Sequence, residues 1–345
     1  PFLAPGCAGN PLNANLDLRI SAYNRVVGDS YAAFGQGTLA VTDRLNLTGG
    51  MRYSYEEKEY TIEHYRRASA TSIVPLTTVS DHWGSFTPMA SIDYKLAPDV
   101  MAYASVSRGF KSGGFNGRPL DNNGVQSFDP ENVTSYEAGF KSEWLNRRLR
   151  FNAAAFYSDY TDLQFTANIF SDKVNSLVQV IENAGEARIK GIELEMQARP
   201  VPALRLQASM GYTNFRITEL TADVPGVTLD SRQPRTPRFN AAAAAAYTVE
   251  IGLASLTGRI DWIYEGASFA DIQNTPVLRK PASNRWNARL TYQSGDGNWD
   301  VSVYGLNLSD ERYIISGLSL LDSFGHAEGT YNRPREWGMS VTRRF

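Results

Sequence analysis

Apolar and polar residues alternate one for one along most of this chain, and that rhythm dictates what it can become. Leu45, Leu47, Met51, Tyr53 and Tyr55 fall on one face of a stretch whose other face carries Asn46, Thr48, Arg52, Ser54 and Glu56. Successive side chains of an extended strand point to opposite sides, so this is a strand with one apolar and one wet face. Residues 149–153, 186–198 and 204–212 repeat the pattern. The six alanines at 241–246 favour a helix by propensity, but the flanks Arg238-Phe239-Asn240 and Tyr247-Thr248 suit a strand of small residues. The longest apolar run, 241–247, has seven residues, whereas a membrane-spanning helix needs about 18 or more. Mean hydropathy is −0.34, which reads as soluble until a barrel is considered, because there a polar lumen face cancels an apolar lipid face.

The alternation predicts about thirteen strands, near 30–41, 45–60, 81–95, 100–110, 132–144, 149–161, 185–198, 204–215, 237–248, 254–266, 283–293, 299–309 and 334–345. Connections of about 3–5 residues alternate with linkers of roughly 16–24 residues, near 61–80, 111–131, 162–184, 216–236, 267–282 and 310–333. Short turns at one end and long loops at the other are the signature of an outer-membrane barrel. The fold class expected is therefore all-β, an antiparallel transmembrane β-barrel with short periplasmic turns and long extracellular loops. Residues 1–29 read as the remnant of an extracellular loop and 30–345 as barrel.

The aromatic residues test that expectation independently. With the short turns set on the periplasmic side, outward aromatics cluster at both strand ends, as interface girdles require. Tyr94, Trp144, Tyr247, Tyr292, Trp299 and Phe345 lie at the turn end. Tyr53, Tyr55, Tyr136, Tyr157, Tyr212, Phe239, Trp262, Tyr264, Trp286 and Trp337 lie at the loop end. A soluble sandwich, in which these aromatics would be core, has no need for such sorting. Arg52, Glu137, Lys141, Glu143, Arg150, Glu193, Glu195, Arg205, Arg259, Asp261 and Arg289 share the opposite parity. A charge facing lipid at mid-membrane costs about 2–4 kcal/mol, so this row must face water or protein.

Charge and cysteine usage narrow the partners. Lys+Arg is 34 against 36 Asp+Glu, a net charge of −2, which supplies no overall electrostatic case for nucleic acid or an anionic surface. Cys7 is the single cysteine and cannot pair within the chain, so its partner, if it has one, lies upstream. The chain starts Pro1-Phe2-Leu3 with neither Met nor signal peptide, which reads as a trimmed precursor or a fragment.

Several motifs, in order, resemble one family. Residues 103–116, reading Tyr-Ala-Ser-Val-Ser-Arg-Gly-Phe-Lys-Ser-Gly-Gly-Phe-Asn, resemble a stretch typical of TonB-dependent outer-membrane receptors. So do Phe128-Asp129-Pro130-Glu131-Asn132, Tyr136-Glu137-Ala138-Gly139-Phe140-Lys141, Asn183-Ala184-Gly185-Glu186-Ala187 and Gly191-Ile192-Glu193-Leu194-Glu195. Asn307-Leu308-Ser309-Asp310-Glu311-Arg312-Tyr313 and Arg333-Pro334-Arg335-Glu336-Trp337-Gly338 follow. The resemblance implies a 22-stranded barrel closed by an N-terminal plug, in the outer membrane of a Gram-negative bacterium. It implies active import of a scarce nutrient, most often a ferric siderophore, energised through the TonB coupling protein. This chain departs from the pattern in lacking the plug, the coupling motif and about nine upstream strands, so it reads as the C-terminal portion of such a barrel. A passive porin, a barrel enzyme and a soluble carbohydrate-binding β-protein are the alternatives. A plug upstream separates the first from active transport, a converging nucleophile and base would mark the second, and extraction without detergent the third. Partners implied are outer-membrane lipid, the missing plug, TonB, the barrel-assembly machinery and the chelate, with no nucleic acid.

The chemistry of catalysis and of cofactors is thin. His64, His82 and His326 fall in or beside predicted loops and are not clustered, so no metal site, no catalytic set and no cofactor is expected. Asp81-His82 are adjacent and so point to opposite faces. Asp121-Asn122-Asn123-Gly124 and Asp296-Gly297-Asn298 lack calcium-loop spacing and read as turns. Candidate ligand residues are the upper positions assigned to the lumen, Glu56, Arg108, Arg238, Glu265 and Arg285, with Phe110, Lys111, Phe115 and Arg118 at the opening of the second long loop. Arginine and lysine beside aromatics suit an anionic, aromatic chelate; ordinary lumen and loop packing is the other reading of each.

The final strand places Trp337, Met339, Val341 and Phe345 on the outward face, with Arg343 near the interface. A terminal aromatic there resembles the signal that barrel-assembly machinery reads; as structure alone it is one more girdle residue. Deleting Phe345 from the full-length protein is expected to lower surface-assembled protein several-fold in cells. Refolding in detergent should be nearly unchanged, since one girdle contact is worth about 1–3 kcal/mol. A parallel fall in both measurements would leave only the structural role.

Overall fold

Thirteen strands form one continuous antiparallel sheet in the computed structural model, which describes residues 19–119, 125–171, 176–222, 224, 226–321 and 325–345. Cys7, most of the N-terminal loop remnant and the turn at 121–124 lie outside the described residues. In chain order the strands are β1 (Ile20–Ala40), β2 (Leu45–Arg66), β3 (Ser72–Ala97), β4 (Val100–Lys111), β5 (Gly114–Phe115), β6 (Ser127–Phe128) and β7 (Glu131–Trp144). They continue with β8 (Leu149–Thr161), β9 (Gln164–Ser171), β10 (Ser176–Asn183), β11 (Gly185–Ala198), β12 (Leu204–Leu220), β13 (Phe239–Ile251) and β14 (Ala254–Glu265). The last are β15 (Ser268–Phe269), β16 (Arg279–Lys280), β17 (Ser283–Gln293), β18 (Trp299–Leu306), β19 (Ile314–Leu320), β20 (His326–Tyr331) and β21 (Glu336–Arg343). The sheet order is β1-β2-β3-β4-β7-β8-β11-β12-β13-β14-β17-β18-β21, with β1 and β21 at its two ends, so the barrel is not closed. The pairs β5/β6, β9/β10, β15/β16 and β19/β20 are small ladders inside the long connections.

The thirteen sheet strands are those the alternation predicts, and the six short turns fall where expected. The turn after β17 shows how: Asp296 accepts from the Asn298 amide at 3.1 Å, and Ser294 Oγ accepts from the Trp299 amide at 2.9 Å. Side chains thus replace the backbone partners that the turn breaks. One expectation fails. The stretch 61–80 is no loose loop, because β2 runs on to Arg66, β3 resumes at Ser72, and β1 begins at Ile20 rather than near 30. β1 pairs with β2 without interruption from Ile20↔Arg66 to Ala40↔Asn46. One side of this extension buries Tyr60, Ile62 and Val74 against Val125. The extension's partner there is another loop, not lipid, so its polar outer positions Glu57, Glu59 and Glu63 are the solvent face of a paired strand.

Register keeps the two faces of the sheet apart across every interface. One row reads Ile192↔Tyr212, Tyr212↔Phe239, and another Trp262↔Trp286, so aromatics meet aromatics at the loop end. The alanines of β13 sit between Met210 and Tyr264, Ala208 and Trp262, Leu206 and Ile260, so each faces a large residue on at least one side. On the opposite face Arg150 meets Glu143 at 2.6 Å, and the Tyr103 hydroxyl donates to Glu137 at 2.6 Å beneath Lys141. At the chain end Arg343 lies 5.2 Å from the Trp299 ring and 4.7 Å from that of Phe345, covering its charge with aromatic faces at the interface.

A parity test follows. Leu194→Arg, on the outward face between Ala153 and Met210, should destabilise the intact barrel by about 2–4 kcal/mol in bilayer unfolding titrations. Glu195→Arg, one residue away on the lumen face, should cost under about 1 kcal/mol. Equal costs would mean that the two faces are wrongly assigned.

Candidate functional site

Three chain segments converge at the loop end of the lumen. β14 ends in Glu265, and the neighbouring β17 presents Arg285 on the same face. The connection between them folds back through a 3-10 turn, Pro276–Leu278, whose Leu278 is buried, and into β16, which carries Lys280. Lys280 Nζ donates to Glu265 Oε2 at 2.8 Å, and Arg285 Nη2 donates to the same oxygen at 3.2 Å. The connection after β18 supplies Tyr313, whose ring centroid lies 4.2 Å from Lys280 Nζ and 5.9 Å from the Arg285 guanidinium. Burial pushes the Tyr313 hydroxyl up, so it stays protonated.

These groups line a cavity of 210 Å³ together with Arg235, Phe269 and Ile314. Three cations face one carboxylate, leaving the pocket positive. Ser283 Oγ and Arg285 Nε are buried with no hydrogen-bond partner. A buried donor left unmade costs about 1–3 kcal/mol, so both are poised to be satisfied by something that enters. The volume is below the roughly 300–1,000 Å³ of a drug-sized site. It fits one anionic arm of a larger molecule rather than the whole.

An asparagine network holds Tyr313 in place. Asn307 donates to the carbonyls of Glu311 (3.0 Å) and Arg333 (3.1 Å) and accepts from the Glu311 amide (3.0 Å). Asn332 accepts from the Tyr313 amide at 2.9 Å. Asp310 accepts from the Arg335 amide at 2.9 Å, and that bond holds its carboxyl below the usual aspartate range. The Asn307–Tyr313 motif therefore acts as a brace that ties the last long connection to the strand ends.

Glu56, Phe115 and Arg118 belong to a second centre, on the β2–β3 extension. Phe115 stacks on Tyr60 at 5.4 Å and meets the edge of Trp83 at 6.2 Å, joining the small core of Tyr60, Ile62, Val74 and Val125. Lys58, 3.6 Å from Glu56, donates to Ser112 Oγ (2.8 Å) and to the Gly113 carbonyl (2.7 Å). Gly113 is required there, since a Cβ would collide with the Phe128 carbonyl and the Trp83 ring. These contacts spend Phe115 on packing. His64, bonded to Asn24 at 3.2 Å, is held below its usual pKa by burial and by the Arg118 charge.

The remaining candidates do not gather. Arg108 pairs opposite Thr134, one register step above Val106↔Tyr136, and so shares the outward parity of Val106 and Ala104 rather than the lumen wall. Its placement in the lumen is corrected by that register. Phe110 shares its parity, Lys111 is exposed opposite Glu131, and Arg238 is exposed, its carbonyl accepting from the Thr213 amide. The sequence reading thus found Glu265 and Arg285 but missed Lys280, Tyr313, Arg235 and Phe269, which only loop folding brings to them. Asp81 and His82 separate as adjacency requires: Asp81 bonds Ser127, and the His82 ring lies 5.7 Å from that of Tyr55. Among the described residues no three His, Cys, Asp or Glu converge on a metal-sized site.

Known proteins carry the same architecture. Residues 6–308 match the family described as TonB dependent receptor-like, beta-barrel. The ferric-pyoverdine M114 receptor PbuA of Pseudomonas sp. (strain M114) is 27% identical over 354 residues, covering 100% of this chain and 38% of its own length. The metal-pseudopaline receptor CntO of Pseudomonas aeruginosa (strain UCBPP-PA14) is 30% identical over 267 residues, 75% of this chain and 33% of its own. The crystal structure of the ferric yersiniabactin uptake receptor FyuA from Yersinia pestis superposes with a TM-score of 0.81 at 22% identity, over 95% of this chain and 47% of that one. The chain thus spans between a third and just under half the length of these relatives. With its thirteen-strand sheet, its sorted faces and this match over most of its length, the chain belongs to the TonB-dependent receptor β-barrel family of outer-membrane proteins.

Proposed function

We propose that the intact protein imports a ferric siderophore or similar metal chelate across the outer membrane, energised through TonB, and that the Glu265–Lys280–Arg285–Tyr313 pocket grips an anionic arm of that ligand. The observation that carries this reading is the pocket's excess of cations at the lumen mouth, with the Arg285 Nε and Ser283 donors unpartnered. Lys280 and Arg285 share a single carboxylate oxygen, so an incoming carboxylate or phenolate completes their coordination without having to strip an optimal ion pair. The names of the relatives support the ligand class, since pyoverdine, pseudopaline and yersiniabactin receptors all take up metal chelates. On this reading the chain is the C-terminal thirteen strands of a 22-stranded barrel. The stretch before β1 is the end of an extracellular connection, and a plug with its TonB-contacting segment lies upstream. Catalytic turnover is no part of it.

The test is made in the full-length receptor. Lys280→Ala/Arg285→Ala should weaken binding of the transported ferric chelate by roughly 10- to 100-fold, two charge-assisted contacts of about 1.5–3 kcal/mol each being partly offset by release of Glu265. Heat-modifiable migration on gels should be unchanged, showing a folded barrel. Iron-limited uptake and binding equal to wild type would remove the pocket from the ligand path. A deletion strain that takes up every ferric chelate as well as its parent would remove the iron reading itself.

A further inference from the structure

A single carboxylate stands among the cations of the loop-end pocket. Glu265 ends β14, and the ladder fixes its backbone on both sides, opposite Asn240 and opposite Ser283. Its side chain accepts from Lys280 at 2.8 Å and from Arg285 at 3.2 Å, and both bonds fall on Oε2. Among the described residues it is the one acid that lines the cavity, where Arg235, Lys280 and Arg285 are the cations.

Arg285 is served poorly by this arrangement. Along one edge its guanidinium presents two parallel donors, Nε and Nη2, which a planar carboxylate can fill with both of its oxygens. Glu265 takes Nη2 alone and leaves Nε buried and unpartnered. The shorter bond to Lys280 draws the carboxylate towards β16 instead. Lys280 has a second neighbour, the Tyr313 ring 4.2 Å from Nζ, so Glu265 is not all that holds it. Side-chain exposure sorts the pair in the same sense. Lys280 keeps 15% of its surface in water and Glu265 31%, so the carboxylate is the partner that solvent can receive when it is displaced.

From this geometry we infer that Glu265 is a built-in competitor for the ligand. It occupies the Arg285 edge in the empty receptor, yields that edge to a planar carboxylate on the bound molecule, and reclaims it when the carboxylate withdraws. The inference rests on the pocket reading proposed above and assigns its one acid a role. Because Glu265 is tethered within the site, it competes intramolecularly, at an effective concentration that dilution does not reduce. An unopposed guanidinium beside an ammonium would hold an anionic arm tightly. The internal carboxylate weakens that grip without abolishing it, which suits a receptor that must release what it captures. The walls favour an arm that carries a ring, since Phe269, Tyr313, Ile314 and Ile315 line the cavity beside the cations.

Benzoate, a planar carboxylate on a ring, is the probe, with benzamide as its neutral counterpart; both are titrated into the full-length receptor and followed by ligand-observed NMR. Glu265→Gln keeps the side chain's shape and an acceptor for Lys280 but removes the charge. It should tighten benzoate by roughly 5- to 20-fold, the range of one charge-assisted contact, slow its dissociation, and leave benzamide unchanged. The gain should persist at high salt, where a merely long-range effect of the lost charge is screened. Glu265→Asp, charged but one methylene shorter on the same fixed backbone, should tighten benzoate by a smaller factor, and it carries the test if the Gln variant assembles poorly. Lys280→Ala/Arg285→Ala should abolish benzoate binding. Benzoate binding indifferent to that double variant, or undetectable in every variant, would overturn the pocket and the function proposed for it. Binding that the double variant abolishes, but that neutralising Glu265 leaves equal, weakens, or tightens only at low salt, would overturn the competition alone.

Discussion

In hydrocarbon an unpaired backbone amide has no water to turn to, and the whole structure is organised by that demand. Each of the eleven inner sheet strands pairs its amides and carbonyls with a neighbour on both sides, and β1 and β21 with a neighbour on one, so pairing is unbroken from β1 to β21. Once the ladders are continuous, register is no longer free. A slip of one residue at any interface would turn a row of arginines and glutamates into lipid. The absence of such slips across the spanning rows ties Trp262 to Trp286 and Met196 to Ala208, and sets Glu193 opposite Gly211, Glu195 opposite Ser209 and Asp261 opposite Asn287 on the lumen face.

Above the membrane the demand relaxes and a different physics takes over. The buried apolar clusters lie at the loop end, one around Tyr60, Ile62 and Val74, the other joining Leu163, Phe165, Ile217, Val224 and Ile272 from three connections. Loops here are not strings between strands but small packed bodies, held by side chains that donate to carbonyls, as Lys58 and Asn307 do. That packing is what shapes a pocket among them. Lys280 and Tyr313 reach Glu265 and Arg285 because Leu278 is buried and Asn332 fixes the Tyr313 amide.

The same side chain takes opposite roles according to parity. Arg285 and Arg108 both sit near the upper end of a strand, in stretches rich in aromatics. One faces the lumen, shares a carboxylate and keeps an unsatisfied Nε; the other faces outward with Val106. Depth and face, rather than residue type, decide the surroundings a guanidinium meets.

The amino-acid sequence by itself determined the strand count, the short turns, the two aromatic belts and the lumen charges. All of these follow from local alternation, which a strand's two-residue period converts directly into geometry. Motif order was also enough to point to the family. It could not settle where β2 and β3 stop, because beyond the membrane polar residues serve equally well in a loop and on the wet face of a paired strand. There the choice was made by β1, which pairs to Arg66, and by Val125, which covers Tyr60 and Ile62. Nor could it assemble the pocket: Arg235, Lys280 and Tyr313 share no common period with Glu265 and Arg285, and only the folding of the connections brings them to the same cavity.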